Sequence, residues 1–166
     1  QLDLERVRMA CITARDKAIV ETLYSTGCRV SELEHLDITD VNFETKEVTL
    51  FGKGSKHRIS FINAKAEVAL KTYLAERKDN NPEPYDRLKK PGIELIVRKI
   101  MERANEVTTH VTPHVFRHTH ATTALNQGMP IVEISKILGH SQVETTMQYI
   151  TVDQESIKLN HRNCVI

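Results

Sequence analysis

The 166-residue chain has no apolar run approaching the ~18 residues needed to cross a bilayer, so no membrane span is expected. It has neither a starting methionine nor the apolar core of a signal peptide, and we therefore expect it to be a piece cut from a longer protein. Cysteine is sparse: Cys11, Cys28 and Cys164 lie far apart and form no CxxC pair. That set argues against a disulfide framework and fits a reducing compartment, so a cytoplasmic protein is expected. Repeats and low-complexity tracts are absent too. Net charge is nearly absent, at +1, well below the strongly basic range that would by itself indicate a nucleic-acid-binding domain.

What is present is an ordinary globular balance, 40% hydrophobic and 27% charged, in a length that suits one domain with a real core. The charge is unevenly spread. Residues 29 to 47 carry six acidic side chains against two basic ones. Lys53, Lys56, Arg58, Lys65 and Lys71 then follow with Glu67 as the one acid among them, and a second basic stretch runs from Arg87 through Lys89 and Lys90 to Arg103. Such local excess suits a phosphate-facing surface, although a solvated helix face gives the same pattern.

Helical spacing of apolar residues marks "RDKAIVETLYSTG", with Gly27 as its stop, and a shorter stretch, "RVSELEHL". "VNFETKEVTLF" and "KHRISFI" alternate apolar and polar residues around a "GKGSK" turn, which predicts a small antiparallel sheet. Helix resumes from Asn63, its expected cap, to Arg77. A polar, proline-rich loop follows, then helices over "IELIVRKIMERANEV", "HVFRHTHATTALNQ", "PIVEISKIL" and "SQVETTMQY", the last opened by a Ser141/Glu144 capping box. Thr112 and Pro113 suit an N-cap and a first helical position. The expected class is α+β: mainly helical with one small antiparallel sheet.

"HVTPHVFRHTHATT" concentrates His110, His114, His118 and His120, and His114 with His118 has the i, i+4 spacing of a two-histidine zinc site. No HExxH glutamate and no cysteine pair accompany them, and Arg117 would set a fixed positive charge against a metal. His114 and Arg117, at i and i+3, share a helix face that better suits an anion: the guanidinium fork matches phosphate oxygens, and histidine exchanges a proton near neutral pH. Such a site needs further groups. Arg29 follows a helix break, Lys53 sits in the strand turn, His140 lies between two helices and Tyr149 ends the helix opened by Ser141. Singly, each also reads as an ion pair, turn decoration, a cap or a core ring.

In order, however, the set runs Arg29, Lys53, His114-x-x-Arg117, His140, Tyr149, within "TGCRVSEL", "GKGSK", "TPHVFRHTHAT" and "ILGHSQVETTMQY". Arg29 and Lys53 are 24 residues apart, His140 and Tyr149 nine. This pattern resembles the catalytic domain of the tyrosine recombinases, or phage-integrase family, from about Leu4 to Tyr149. One departure stands out: "NNPEPYDRLKK" is short and lacks the hydrophobic strand that family members usually carry there.

The resemblance implies the tyrosine-recombinase catalytic-domain fold over residues 1–166, with a tail at 150–166 and with N-terminal core-binding and arm-binding domains lying outside this chain. It implies site-specific recombination of double-stranded DNA through a 3'-phosphotyrosyl intermediate and a four-way junction, without ATP, metal or cofactor. Tyr149 would be the nucleophile and Lys53 the general acid. Arg29, Arg117 and His140 would bind the phosphate, and His114 would orient it and take the tyrosine proton. Lys56, Arg58, Lys89 and Lys90 are further candidates for DNA contact. A DNA-bound homotetramer is implied, with Ile157, Leu159, Val165 and Ile166 docking on a neighbouring protomer, and accessory DNA-bending or excision factors as further partners. His118 is expected to support its helix, and His110 and His120 to be dispensable. Integration and excision of a mobile element is the favoured role. A Xer-type chromosome or plasmid resolvase is the alternative, followed by a type IB topoisomerase, a non-catalytic DNA-binding relative and a zinc-binding module.

Overall fold

The computed structural model describes residues 3–52, 57–79, 81–82, 85, 88–104, 113–140 and 144–147. Helix α1 (Leu4–Met9) is capped by the Asp3 carboxylate, and α2 (Ala14–Thr26) by the Thr13 hydroxyl, which accepts from the Asp16 amide. Gly27 ends α2 with φ at 60°, the left-handed conformation glycine adopts without penalty. Arg29 then starts α3 (Val30–Glu34), and a 3-10 turn at Ile38–Asp40 leads into strands β1 (Val41–Asn42), β2 (Glu47–Phe51) and β3 (His57–Phe61). The strands form an antiparallel sheet in the order β1-β2-β3, with Val41 opposite Val48 and Thr49 opposite Ile59.

Helices α4 (Ala64–Glu76), α5 (Lys90–Arg103), α6 (His114–Asn126), α7 (Ile131–Leu138) and α8 (Glu144–Met147) follow. Helix α2 is the central element, packing on α4, α5 and α6. Ala18, Ile19, Val20 and Leu23 are all but fully buried along it, and each large side chain among them stabilises the fold by about 1.5–3 kcal/mol relative to exposure. A smaller cluster of Ala121, Ile134 and Leu138 joins α6 to α7. This second cluster fixes the end of α7 beside the end of α2, and the candidate site forms there.

Several expectations are refined by the structure. The stretch "VNFETKEVTLF" is two strands rather than one. Asn42 Oδ1 accepts from the amides of Glu44 and Thr45, and Lys46 turns the chain with φ at 64°; a side chain that competes for backbone amides breaks an alternating run. Helix α5 begins at Lys90, earlier than its apolar periodicity shows, because Pro91 fits the first helical turn. The proline-rich loop is anchored. Tyr85 is buried, stacks on Tyr73 and donates to the Thr22 hydroxyl at 2.6 Å. The Ile38 amide donates to the Pro82 carbonyl. Among the described residues, no helix is long and apolar enough to cross a membrane.

Candidate functional site

The last carbonyls of any α-helix lack intrahelical partners and carry the negative end of its dipole. At the end of α7, two arginines from distant parts of the chain meet those groups. Arg117, on α6, donates from Nη2 to the Leu138 carbonyl at 2.6 Å, and Arg58, on β3, donates from Nη1 to the Ile137 carbonyl. Arg117 also donates from Nη1 to the Gly27 carbonyl at 2.7 Å, bridging the ends of α2 and α7. Arg117 as a whole is 3% exposed. Gly27 must be small here, since a Cβ would lie 2.9 Å from carbons of His120 and Leu138.

Glu32 holds the other side of the network. Its carboxylate accepts from Nη2 of Arg58 at 2.8 Å, from Nη1 of Arg29 at 3.1 Å and from the Arg29 amide at 2.7 Å. Burial pushes this carboxyl upward, but hydrogen bonds from Arg58 and from the Arg29 backbone outweigh it and leave Glu32 below its ordinary value. Arg29 thereby starts α3 with a fixed backbone and a side chain 40% exposed.

His140 follows the left-handed Gly139, and its amide returns to the Ser135 carbonyl at 3.0 Å, a Schellman-type ending that sets where the ring projects. Nε2 lies 2.9 Å from Nη2 of Arg117 and Nδ1 lies 2.7 Å from Oγ1 of Thr146 on α8. A guanidinium can only donate, so Nε2 accepts and the ring proton resides on Nδ1, directed at the threonine. Burial, reinforced by the positive charges of Arg117, Arg29 and Arg58, pushes the imidazole down to about 4. Three guanidiniums and a neutral histidine, from four separate elements, thus lie near the end of α7, close enough for each positive charge to act on the ring. Chemically this is a preorganised field for an anion.

Of the candidates named from sequence, Arg29, Arg117 and His140 fall together here. His114 is exposed in the first turn of α6, one turn before Arg117, and His118 is exposed on the same helix. Among the described residues no three histidine, cysteine or acidic side chains form a group able to hold a metal ion. His120 is set into the fold rather than on the surface: Nδ1 meets the Tyr24 carbonyl at 3.0 Å, and burial holds the ring below its ordinary value. Arg58 is drawn into the Glu32 pair with its side chain 11% exposed, not spread on an open basic face. Lys89 and Lys90 are exposed where α5 starts, Lys90 being 3.8 Å from Glu94. Lys53, Lys56, His110, Tyr149, the Ser141 cap and the tail residues Ile157, Leu159, Val165 and Ile166 lie outside the described residues. Sequence reasoning left Arg29 open to an ion pair, which the structure makes with Glu32, but it missed the pairing of Glu32 with Arg58 and it missed Thr146. The i, i+3 spacing of Arg29 and Glu32 was a readable signal; Thr146 offered none.

Comparison with known proteins gives a consistent picture. The model of the phage integrase family matches residues 3–156. The chain is 37% identical over 157 residues to the tyrosine recombinase XerC of Oceanobacillus iheyensis, covering 87% of this chain and 51% of the relative. The crystal structure of the XerA recombinase superposes with a TM-score of 0.82 at 30% identity, covering 98% of this chain and 63% of that one. An integrase of the Tn1549 transposon, solved in complex with transposon right-end DNA, shares the fold with a TM-score of 0.72 at 21% identity, covering 98% of this chain and 63% of that one. The chain therefore spans about half to two-thirds of the length of these proteins.

Proposed function

We propose, from the premise that this chain belongs to the phage integrase family, that it is the catalytic domain of a site-specific tyrosine recombinase acting on double-stranded DNA. The observation that carries the proposal is the convergence of Arg29, Arg117 and His140 around the end of α7. Two guanidiniums would hold the non-bridging oxygens of the scissile phosphate, where negative charge grows in the transition state, each contributing about 10²- to 10³-fold. His140 would add a hydrogen bond to the same group, and His114 would orient the phosphate and accept the tyrosine proton.

Tyr149 attacks phosphorus in line and expels the 5'-oxygen, which Lys53 protonates as general acid, a role typically worth about 10²- to 10⁴-fold. The 3'-phosphotyrosyl bond conserves the phosphodiester's energy, so a 5'-hydroxyl from a partner duplex can reverse the step without ATP. Exchange of two strand pairs passes through a four-way junction, for which four protomers on DNA are needed. The segment after Tyr149 would dock Ile157, Leu159, Val165 and Ile166 on a neighbour, and accessory DNA-bending or excision factors complete the assembly in the cytoplasm. Lys56, Lys89 and Lys90 would contribute phosphate contacts that position the duplex without reading its sequence.

Integration and excision of a mobile element is one role for such chemistry. A Xer-type resolvase is the second, and it is favoured by the 37% identity to a XerC recombinase. Covalent capture on nicked suicide duplexes, selected from a random-sequence pool by the wild-type chain, tests the central reading. Wild type traps a 3'-phosphotyrosyl adduct and Tyr149→Phe traps none. An adduct that persists in Tyr149→Phe overturns the assignment. The captured sequence, compared with element ends and with chromosomal sites, separates the two roles.

A further inference from the structure

One buried polar side chain has no part in the chemistry above. Thr146 is 1% exposed on α8, and its hydroxyl is the partner of Nδ1 of His140 at 2.7 Å. It lies six residues beyond His140 and three before Tyr149 in sequence. With Nε2 accepting from Arg117 at 2.9 Å, the ring is held in the tautomer that cannot donate from Nε2.

We infer that Thr146 is a positioning residue whose hydroxyl follows the His140 imidazole through both neutral tautomers, tying α8 to the phosphate-binding group. This rests on the recombinase reading above. A hydroxyl both donates and accepts. In the DNA-free protein it accepts from Nδ1–H. When Nε2 leaves Arg117 to donate to the scissile phosphate, one proton departs from Nδ1 to water and one arrives on Nε2 from water, with no change in charge. Nδ1 then becomes an acceptor, and the threonine hydroxyl rotates about its C–O bond to donate to it. The hydrogen bond survives the exchange, so the helix that precedes Tyr149 keeps its tether while the ring changes partner. Valine has the same shape and can play neither part, whereas serine can play both.

The test compares Thr146→Val with Thr146→Ser. In the DNA-free 166-residue chain, nitrogen-15 NMR of the His140 ring reads the tautomer directly. Arg117 donates to Nε2 in all three proteins, so each should carry the proton on Nδ1. In wild type and Thr146→Ser that proton should be held in a hydrogen bond and exchange slowly with water, and in Thr146→Val it should exchange faster. An Nδ1 proton equally protected in the valine variant overturns the inference. On the selected suicide duplex, Thr146→Val should form adduct at least about tenfold more slowly at saturating DNA with unchanged DNA affinity, and serine should recover the rate to within about threefold. Equal rates for valine and serine, or a loss confined to DNA affinity, also overturn it. If wild type itself forms no adduct, the recombinase reading falls, while the protection of the Nδ1 proton still decides the part played by Thr146. Thr146→Ala replaces valine should that variant not fold.

Discussion

Replacing Glu32 by glutamine removes the charge at the centre of the arginine network while keeping its shape. Glu32 is 3% exposed and accepts from Arg58 at 2.8 Å and from Arg29 at 3.1 Å. Glutamine offers one acceptor oxygen and an NH2 group that would face guanidinium donors. Arg58, with its side chain 11% exposed, would keep its charge with no carboxylate opposite. Breaking a buried pair costs about 3–5 kcal/mol. Arg58 retains its bond to the Ile137 carbonyl, and the half-exposed Arg29 adds little, so the lower end, about 3 kcal/mol, is expected. With a urea m-value near 2 kcal/mol/M, the unfolding midpoint should fall by about 1.5 M.

The same measurement on Arg58→Met and on the double variant closes a cycle. The double variant should cost at least about 1 kcal/mol less than the two single losses together. The pH dependence has a definite sign. The folded carboxyl lies below its unfolded value, so its contribution is complete above the unfolded value of about 4.3 and is lost as pH falls through the folded one. The gap between wild type and Glu32→Gln should therefore shrink in acid. A loss under about 0.5 kcal/mol, additive singles or a gap indifferent to pH would refute the reasoning.

Two further outcomes follow from the same site. Gly139→Ala and Gly128→Ala both place a side chain at positive φ, 66° and 89°, but a Cβ at Gly139 would overlap the Arg58 side chain, whereas nothing lies within 4 Å of one at Gly128. The backbone term of about 1–2 kcal/mol is common to both, so Gly139→Ala should unfold at clearly lower urea; equal midpoints would show that Arg58 yields freely. The His140 ring should titrate near 4 by NMR, and stability should decline as pH falls from about 6.5 to about 4, because over that interval the unfolded chain binds a proton that the folded one refuses. A midpoint at the ordinary 6.5 would contradict the arrangement of Arg117 around the ring.

The amino-acid sequence by itself determined most of the local elements and put forward the residues proposed for the chemistry. Gly27 and Gly139 are helix stops in both descriptions because glycine adopts the left-handed conformation freely. Asn63 caps α4 because its short side chain reaches a free backbone amide, that of Ala66 at 2.9 Å. The family pattern named Arg29, Arg117 and His140 from residue type and order alone. Partnership was decided only by tertiary structure. Arg117 and Gly27 are 90 residues apart, and Arg58 and Ile137 are 79 apart. No periodicity in the sequence relates such positions, since they meet only when the Ala121–Ile134–Leu138 cluster sets α7 beside the end of α2. Folding therefore turned Arg58 from a surface charge into the counterion of Glu32 and turned His120 inward to the Tyr24 carbonyl. It also gave Thr146 a partner, because a hydrogen bond between α8 and the residue after α7 depends on where both helices end.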